Sequence, residues 1–505
     1  MRVLISLLLF NQLIFSANIL SNCIVAPDTR TFERFQFTFP EQIESEHFIV
    51  HFTTSNADSQ FVNEQWLNLQ CNFGYAQSVI ELAEYALAIF MEADWEMMPP
   101  DCDEGITDEE SPNHCNNFGG NALYDIYLAN DAVGLVAPEN PYPVEPYIGG
   151  FTSFMQVTPL GNEHTFVPDW SVHVIAHELH HAIQIRYGTS VSGEPGNYAY
   201  NGWLYEQTST YMENVIFPAS YHFLVMMGNC NITSPLTYPE ISIDSSVDIY
   251  QYRSALWQKF LVEAYGDSTI NRLIWEGFGL ETATGNPVNM FPIYESALQT
   301  VTDGVTTLGD AYQDYALWRY FTGSRSRPGE FFMQAASYCT ANLLAIEETS
   351  TTFPSEKGGA RLVKLLPYET NLLLASSAYD NLLVQHISFS EEDEILMSSI
   401  EVNGEESFFQ LYNPAGDNHA LLITSEYTAE PGEEIEFTLA NTVPFMEGDI
   451  TGDSMVNVQD IIVQINIILH QIDPTEYQML AADLDGNGII DILDIVALVN
   501  IILSS

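Results

Sequence analysis

The sequence predicts a multidomain chain. An α+β region is built around a histidine-rich helix, a helical subdomain follows, then a β-sandwich-like accessory domain and a small all-α calcium-binding unit. Three observations carry this. His177-Glu178-Leu179-His180-His181 lies in a run with helical apolar spacing; from about 350 to 445 short β-prone runs alternate with turns; residues 449–469 repeat at 483–503 with an offset of 34. At 505 residues the chain exceeds one ordinary hydrophobic core, so three or four domains are expected. The divisions read as 1–17, 18–230, 231–345, 346–446 and 447–505.

Residues 1–17 read as a secretory signal peptide. Arg2 precedes an apolar run from Val3 to Ile14, and Phe15-Ser16-Ala17 supplies a small-residue cleavage site. The run is too short to anchor in a bilayer, and no other segment is apolar enough to span one. Leu20-Ser21-Asn22-Cys23 resembles a lipoprotein cleavage sequence, but Asn22 stands where a small residue is required. Cys23, Cys71, Cys102, Cys115, Cys230 and Cys339 are left after cleavage, an even count that permits three bridges in an exported protein. Cys102 and Cys115 flank an acidic loop and are the expected pair. That loop reads as a solvated turn, with calcium binding as the alternative. A net charge of −55 with only 13 basic residues excludes a nucleic-acid role and favours cationic peptides or calcium as partners. Localisation is expected to be extracellular.

Within 18–230, Phe35–Phe39 and His47–Phe52 alternate as strands do, and an amphipathic helix is expected from about Asn72 to Met91. Val172, Ile175, Ala176, Leu179 and Ile183 give the next helix one buried face, from which His177, Glu178 and His181 fall away. Asp169 and Ser171 are candidate N-caps, and Gly188 a stop. Two histidines four apart stand one turn above each other, so both imidazoles reach one zinc ion. Glu178 then faces the metal's open position, where a carboxylate can take a proton from bound water. A His173/His177 pair has the same spacing, but no carboxylate stands at 174. His177 and His181 are therefore taken as ligands, with His173 and His180 as outer or surface residues. A catalytic zinc needs a third protein ligand, and Glu206, 25 residues beyond His181 on a second predicted helix, is the candidate.

Here the chain resembles secreted zinc peptidases of the gluzincin kind. In that group the metal helix is followed by a segment reading roughly W-x-x-E-[GQ]-x-[AST]-x-[YW]-x-E, and Trp203, Glu206, Gln207, Ser209, Tyr211 and Glu213 stand at the matching places. Gln207 departs from the small residue usual after the ligand. Tyr124–Leu128 looks like the strand preceding the metal helix. The resemblance covers roughly 120 to 320. It implies a zincin-like catalytic fold, one catalytic Zn2+ on His177, His181 and Glu206, Glu178 as general base, and Glu213 as an outer carboxylate that orients a histidine, with an ordinary surface glutamate as the alternative. Tyr250, Tyr252 and His222 are candidate oxyanion stabilisers.

After Pro239, helical patterns run from Tyr252 to Tyr265, Ser268 to Glu276 and Asp310 to Phe321. The β-prone runs of the accessory domain are Asn371–Ser376, Leu382–Phe389, Phe408–Tyr412 and Glu434–Leu439. In the terminal repeat, oxygen side chains fall at loop positions 1, 3, 5, 9 and 12: Asp449, Thr451, Asp453, Asn457, Asp460, and Asp483, Asp485, Asn487, Asp491, Asp494. That spacing wraps a loop around calcium. A helix follows each loop, with none expected before it. Ile461, Ile465 and Ile468 are expected to pack against Ile495, Val499 and Ile502. The duplicated loop–helix resembles a type I dockerin, which implies two Ca2+ ions and a cohesin-bearing scaffold as partner. Loop one has Thr451 at a ligand position and no Gly at position 6, so loop two is expected to bind more tightly.

The expected activity is hydrolysis of peptide bonds in a protein or peptide substrate, more endopeptidase than aminopeptidase, since no segment that would hold a free amine precedes the helix. The alternative is a scaffold-docked binding protein whose zinc site is structural or vestigial. Glu178 argues against it, because a structural site has no use for a base.

Overall fold

The computed structural model describes residues 34–504 except 63–64, 103–113, 116–119, 130–133, 160–169, 189–200, 219–220, 283–287, 346–350, 357, 365–369, 378–381, 390–394, 402–406, 413–417, 426–433, 442–445, 454 and 475. The expected signal peptide, Cys23, most of the acidic loop and the Asp169 cap lie outside the described residues. Two compact units divide the chain. The first comprises Met1–Tyr238, Ile243–Ala311 and Phe321–Ala341, and the second Pro239–Ser242, Tyr312–Tyr320 and Asn342–Ser505.

The first unit contains β1 (Glu41–Glu44), β2 (Phe48–Phe52), a hairpin of β3 (Ser59–Val62) and β4 (Gln65–Asn68), α1 (Phe73–Glu92), β5 (Tyr124–Leu128), β6 (Leu135–Pro141), β7 (Phe151–Val157) and α2 (Trp170–Tyr187). Five strands form a sheet ordered β1-β2-β5-β7-β6. The middle is parallel, and both edge strands are antiparallel to their neighbours. β5 is buried at every position, as a strand covered on both faces must be. Asn72 caps α1 by accepting from Tyr75 N at 2.7 Å, and Val79, Ile80, Ala83, Leu87 and Phe90 form its buried stripe. The alternation in Phe35–Phe39 does not produce a strand. Phe35 and Phe37 pack instead against the cluster of Leu69, Tyr127, Ala129, Ala137 and Phe154, so the period of two reflects one-sided burial without a ladder.

Beyond α2 come α3 (Gly202–Ile216), α4 (Tyr221–Gly228), α5 (Tyr250–Arg253), α6 (Ala255–Tyr265), α7 (Ile270–Thr282), α8 (Met290–Val301) and α9 (Leu308–Tyr320). The single helix expected from Tyr252 to Tyr265 is broken at Ser254, whose hydroxyl accepts from Gln207 Nε2 at 2.8 Å. Gln207 also donates to Ile243 O and accepts from Gln258, which explains a large polar residue where a small one is usual. Disulfides join Cys102 to Cys115, as expected, and Cys230 to Cys339. Cys71 is buried and unbridged among the described residues.

The second unit holds β8 (Leu344–Ala345), β9 (Thr351–Glu356), β10 (Ala360–Lys364), β11 (Thr370–Ser377), β12 (Leu382–Phe389), β13 (Leu396–Glu401), β14 (Ser407–Tyr412), β15 (Asn418–Ser425) and β16 (Glu434–Asn441), then α10 (Val458–Ile468), α11 (Glu476–Ala482) and α12 (Ile492–Ser504). The strands make two sheets, ordered β13-β12-β15-β10-β8 and β14-β11-β16-β9. The four β-prone runs fall on β11, β12, β14 and β16. A helix, α11, precedes the second calcium loop, contrary to the sequence reading. Its Ala481 and Ala482 enter a core with Ile450, Ile467 and Leu498, flanked by Ile461 and Ile502. Ile465 instead lies 39% exposed, because Asp460, Gln464 and Ile467 form the buried face of α10.

Candidate metal centres

α2 differs from the one-faced helix its apolar spacing suggests. His173, His177, Glu178, His180 and His181 are all buried, because α2 lies between the sheet, α1 and α3. His180 is not a surface residue. Its ring packs edge-on against Trp95 at 4.7 Å, and Nδ1 meets Ser209 Oγ at 3.1 Å. Burial, with His181 and His177 nearby, holds it well below the usual imidazole range, so it is a neutral core histidine.

His177, His181 and Glu206 converge. Glu206 Oε2 lies 3.0 Å from His177 Nε2 and 3.4 Å from His181 Nε2, and the two rings stand perpendicular with centroids 4.6 Å apart. The protons can be placed by their partners. His177 Nδ1 is 2.8 Å from Glu213 Oε1, and a carboxylate only accepts, so the proton is on Nδ1. His181 Nδ1 is 2.7 Å from Gln184 Oε1, whose orientation is set by Gln184 Nε2 donating to Tyr205 O. Ser209 Oγ lies 3.0 Å from the same Nδ1. His177 Nε2 meets Glu206 Oε2 at hydrogen-bond distance, and His181 Nε2 makes no hydrogen bond. The three atoms lie within 4.8 Å of one another, close enough to take one cation between them. Two imidazoles and a carboxylate are a donor set that suits zinc.

Electrostatics run the same way. Burial alone would raise Glu206, but the imidazoles of His181 and His177 beside it outweigh that and bring the carboxyl down to about 2. Burial likewise works upward on Glu213, and His222 and His177 overcome it, holding that carboxyl far below its ordinary range. His181 is lowered, chiefly by burial, and stays neutral.

Glu213 stands behind His177. Its Oε2 accepts from His222 Nδ1 at 2.7 Å and lies 3.7 Å from His173 Nδ1. His222 thus meets the same carboxylate that holds His177 Nδ1. The buried ring of Tyr252 stacks on His177 at 5.9 Å with a 25° tilt. α5 carries Tyr252, and the turn before it holds Asp248 and Ile249 at positive φ (49° and 58°). A β-branched residue there costs roughly 1–3 kcal/mol, so the surrounding packing must impose it. Tyr250 is buried as well. Gln184 carries no sequence signal, and the contacts of Ser209 with His181 and of Tyr252 with His177 are not legible there, although the sequence singles out both residues.

In the terminal repeat the loops are wrapped by their own main chain. Asp460 Oδ1 accepts from Thr451 N at 2.8 Å and Oδ2 from Asn457 N at 2.8 Å, while Asp449 Oδ1 accepts from Gly452 N and Asp453 N. Asn457 and Asp460 also form a capping box for α10. In loop two Asp494 accepts from Leu484 N, Asp485 N and Asp491 N, and Asp483 from Asn487 N and Gly488 N. Oxygens of Asp483, Asp485 and Asp494 come within 4.8 Å of one another. Among the described residues no such carboxylate group forms in loop one.

Residues 447–503 match the type I dockerin domain, a calcium-binding module that docks to cohesin-bearing scaffolds. Proteins carrying one are typically extracellular and scaffold-attached. Among the described residues no helix is long and apolar enough to cross a membrane. Residues 165–294, which hold the histidine cluster, match a family described as of unknown function (DUF6055). No curated protein matches the chain. Among solved structures, dTDP-4-dehydrorhamnose 3,5-epimerase from Elizabethkingia anophelis NUHP1 matches 27% of this chain and 73% of its own at 16% identity, with a TM-score of 0.13.

Proposed function

We propose that the chain is a secreted zinc-dependent peptidase with a zincin-like catalytic region, carried on a scaffold by its dockerin. The observation that carries this reading is the meeting of three buried ligand atoms, His177 Nε2, His181 Nε2 and Glu206 Oε2, with the buried Glu178 next to His177 on the same helix. His177, His181 and Glu206 would hold the ion. Zinc, when bound, would supply a Lewis acid that lowers the pKa of a bound water and polarises a carbonyl.

The chain's own residues have separable tasks. Glu178 takes the proton from the attacking water and returns it to the leaving amine. Glu213 and Gln184 each hold an imidazole by Nδ1, which keeps Nε2 free of a proton and aimed inward. β6 is an antiparallel edge strand packed beside α2, so an extended peptide can add to its outer side. Pro138 and Pro141 lack donors, so that pairing is confined to the Leu135–Ala137 end nearest Glu178. In the dockerin, Val458 and Ile462 of α10 and their repeat equivalents Ile492 and Val496 of α12 are exposed. These apolar patches are the surface a cohesin would cover.

Metal analysis together with casein digestion tests the reading. The expected result is one zinc per chain and cleavage that stops on chelation and returns with zinc. Full zinc occupancy without cleavage would favour the non-catalytic alternative.

A further inference from the structure

Gly134, the residue before β6, is buried directly against Glu178. A Cβ built there would lie 2.1 Å from Glu178 Cγ and 2.6 Å from both Cδ and Oε1. Gly134 is not among the glycines with positive φ, so its backbone would accept an L side chain. What excludes a side chain at 134 is therefore Glu178 itself.

We propose that Gly134 is a positioning residue, whose missing side chain lets the Glu178 carboxylate stand beside the metal cluster under the start of the edge strand. The inference rests on Glu178 being the base. The closest clash is with Cγ, one bond from the helix-borne Cβ, so turning the end of the side chain cannot relieve it. Glu178 would have to leave its χ1 well, and a helix leaves few others open. Alternatively the start of β6 would have to move, against Val136 and Ala137, which are both fully packed. Either response separates the carboxylate from the converging donors.

A double-mutant cycle on the full chain tests this, using Gly134→Ala, Glu178→Ala and the pair. Glu178→Ala deletes all three atoms that the new methyl would strike. Gly134→Ala alone should keep one zinc per chain, lower the Tm, and slow casein cleavage by about a hundredfold, within the range for a displaced general base. Added to Glu178→Ala, it should leave the Tm unchanged and alter the residual rate by no more than about twofold, because the contact is gone. Parental activity in Gly134→Ala overturns the inference. So does loss of zinc, or an equal fall in Tm in both backgrounds, which would make 134 a backbone constraint independent of Glu178. If the parent itself does not cleave, the peptidase reading fails on its own account. The Tm coupling still reads the contact, and its absence overturns the inference separately.

Discussion

Glu206 and Glu213 lie seven residues apart on α3 and are both buried, yet their removal should have different consequences. Glu206→Ala takes away one of three converging donors and leaves two imidazoles, whereas Glu213→Ala removes a carboxylate that touches only Nδ1 atoms. Loss of an outer partner of a ligand histidine typically weakens metal binding about 10–100-fold. At 1.36 kcal/mol per decade this is about 1.4–2.7 kcal/mol. The two hydrogen bonds of 2.8 and 2.7 Å from His177 and His222 are lost as well. Each imidazole N–H left unsatisfied costs about 1–3 kcal/mol, so Glu213→Ala should also lower the Tm of the metal-free protein. Glu206→Ala should weaken zinc beyond the hundredfold ceiling, as His177→Ala does, with a smaller effect on the apo Tm. Competition with a chromophoric zinc chelator gives the affinities, and differential scanning fluorimetry the Tm. If Glu213→Ala strips the zinc while Glu206→Ala spares it, the assigned roles are reversed.

Two further outcomes are expected. Thiol titration of the unfolded, unreduced mature protein should find no free thiol, with Cys102–Cys115 and Cys230–Cys339 recovered by peptide mapping; a reactive Cys71 would contradict the three-bridge expectation. A 447–505 fragment should be largely unfolded in chelator and gain helix with calcium, because the loop carboxylates repel until a cation joins them. At a thousandfold excess over Kd the ion adds about 4 kcal/mol of folding free energy. Circular dichroism that ignores calcium would count against this.

The sequence made some of this legible for identifiable reasons. Spacings of four on a helix and of two within a calcium loop are fixed by backbone geometry, so the meeting of His177 with His181 and of Asp483 with Asp485 and Asp494 could be read directly. His180 could not, because apolar spacing in α2 marks only the face toward the sheet and says nothing of α1 and α3 covering the rest. The relay from His222 through Glu213 to His177 joins residues from α2, α3 and α4, and no local pattern records such a meeting. Phe35–Phe39 shows the converse: the alternation is present, but the segment packs as cover without becoming a strand. The short helix α11 was missed because its seven residues give less than two full periods of pattern.

The most direct measurement is Glu178→Gln, assayed for zinc content and casein cleavage in the same preparation. Gln keeps the size and hydrogen-bonding reach of Glu but cannot accept the proton. The variant should hold one zinc per chain like the parent and lose about a hundredfold to ten-thousandfold in rate, the usual share of a general base. Cleavage at the parental rate with zinc bound would contradict the account.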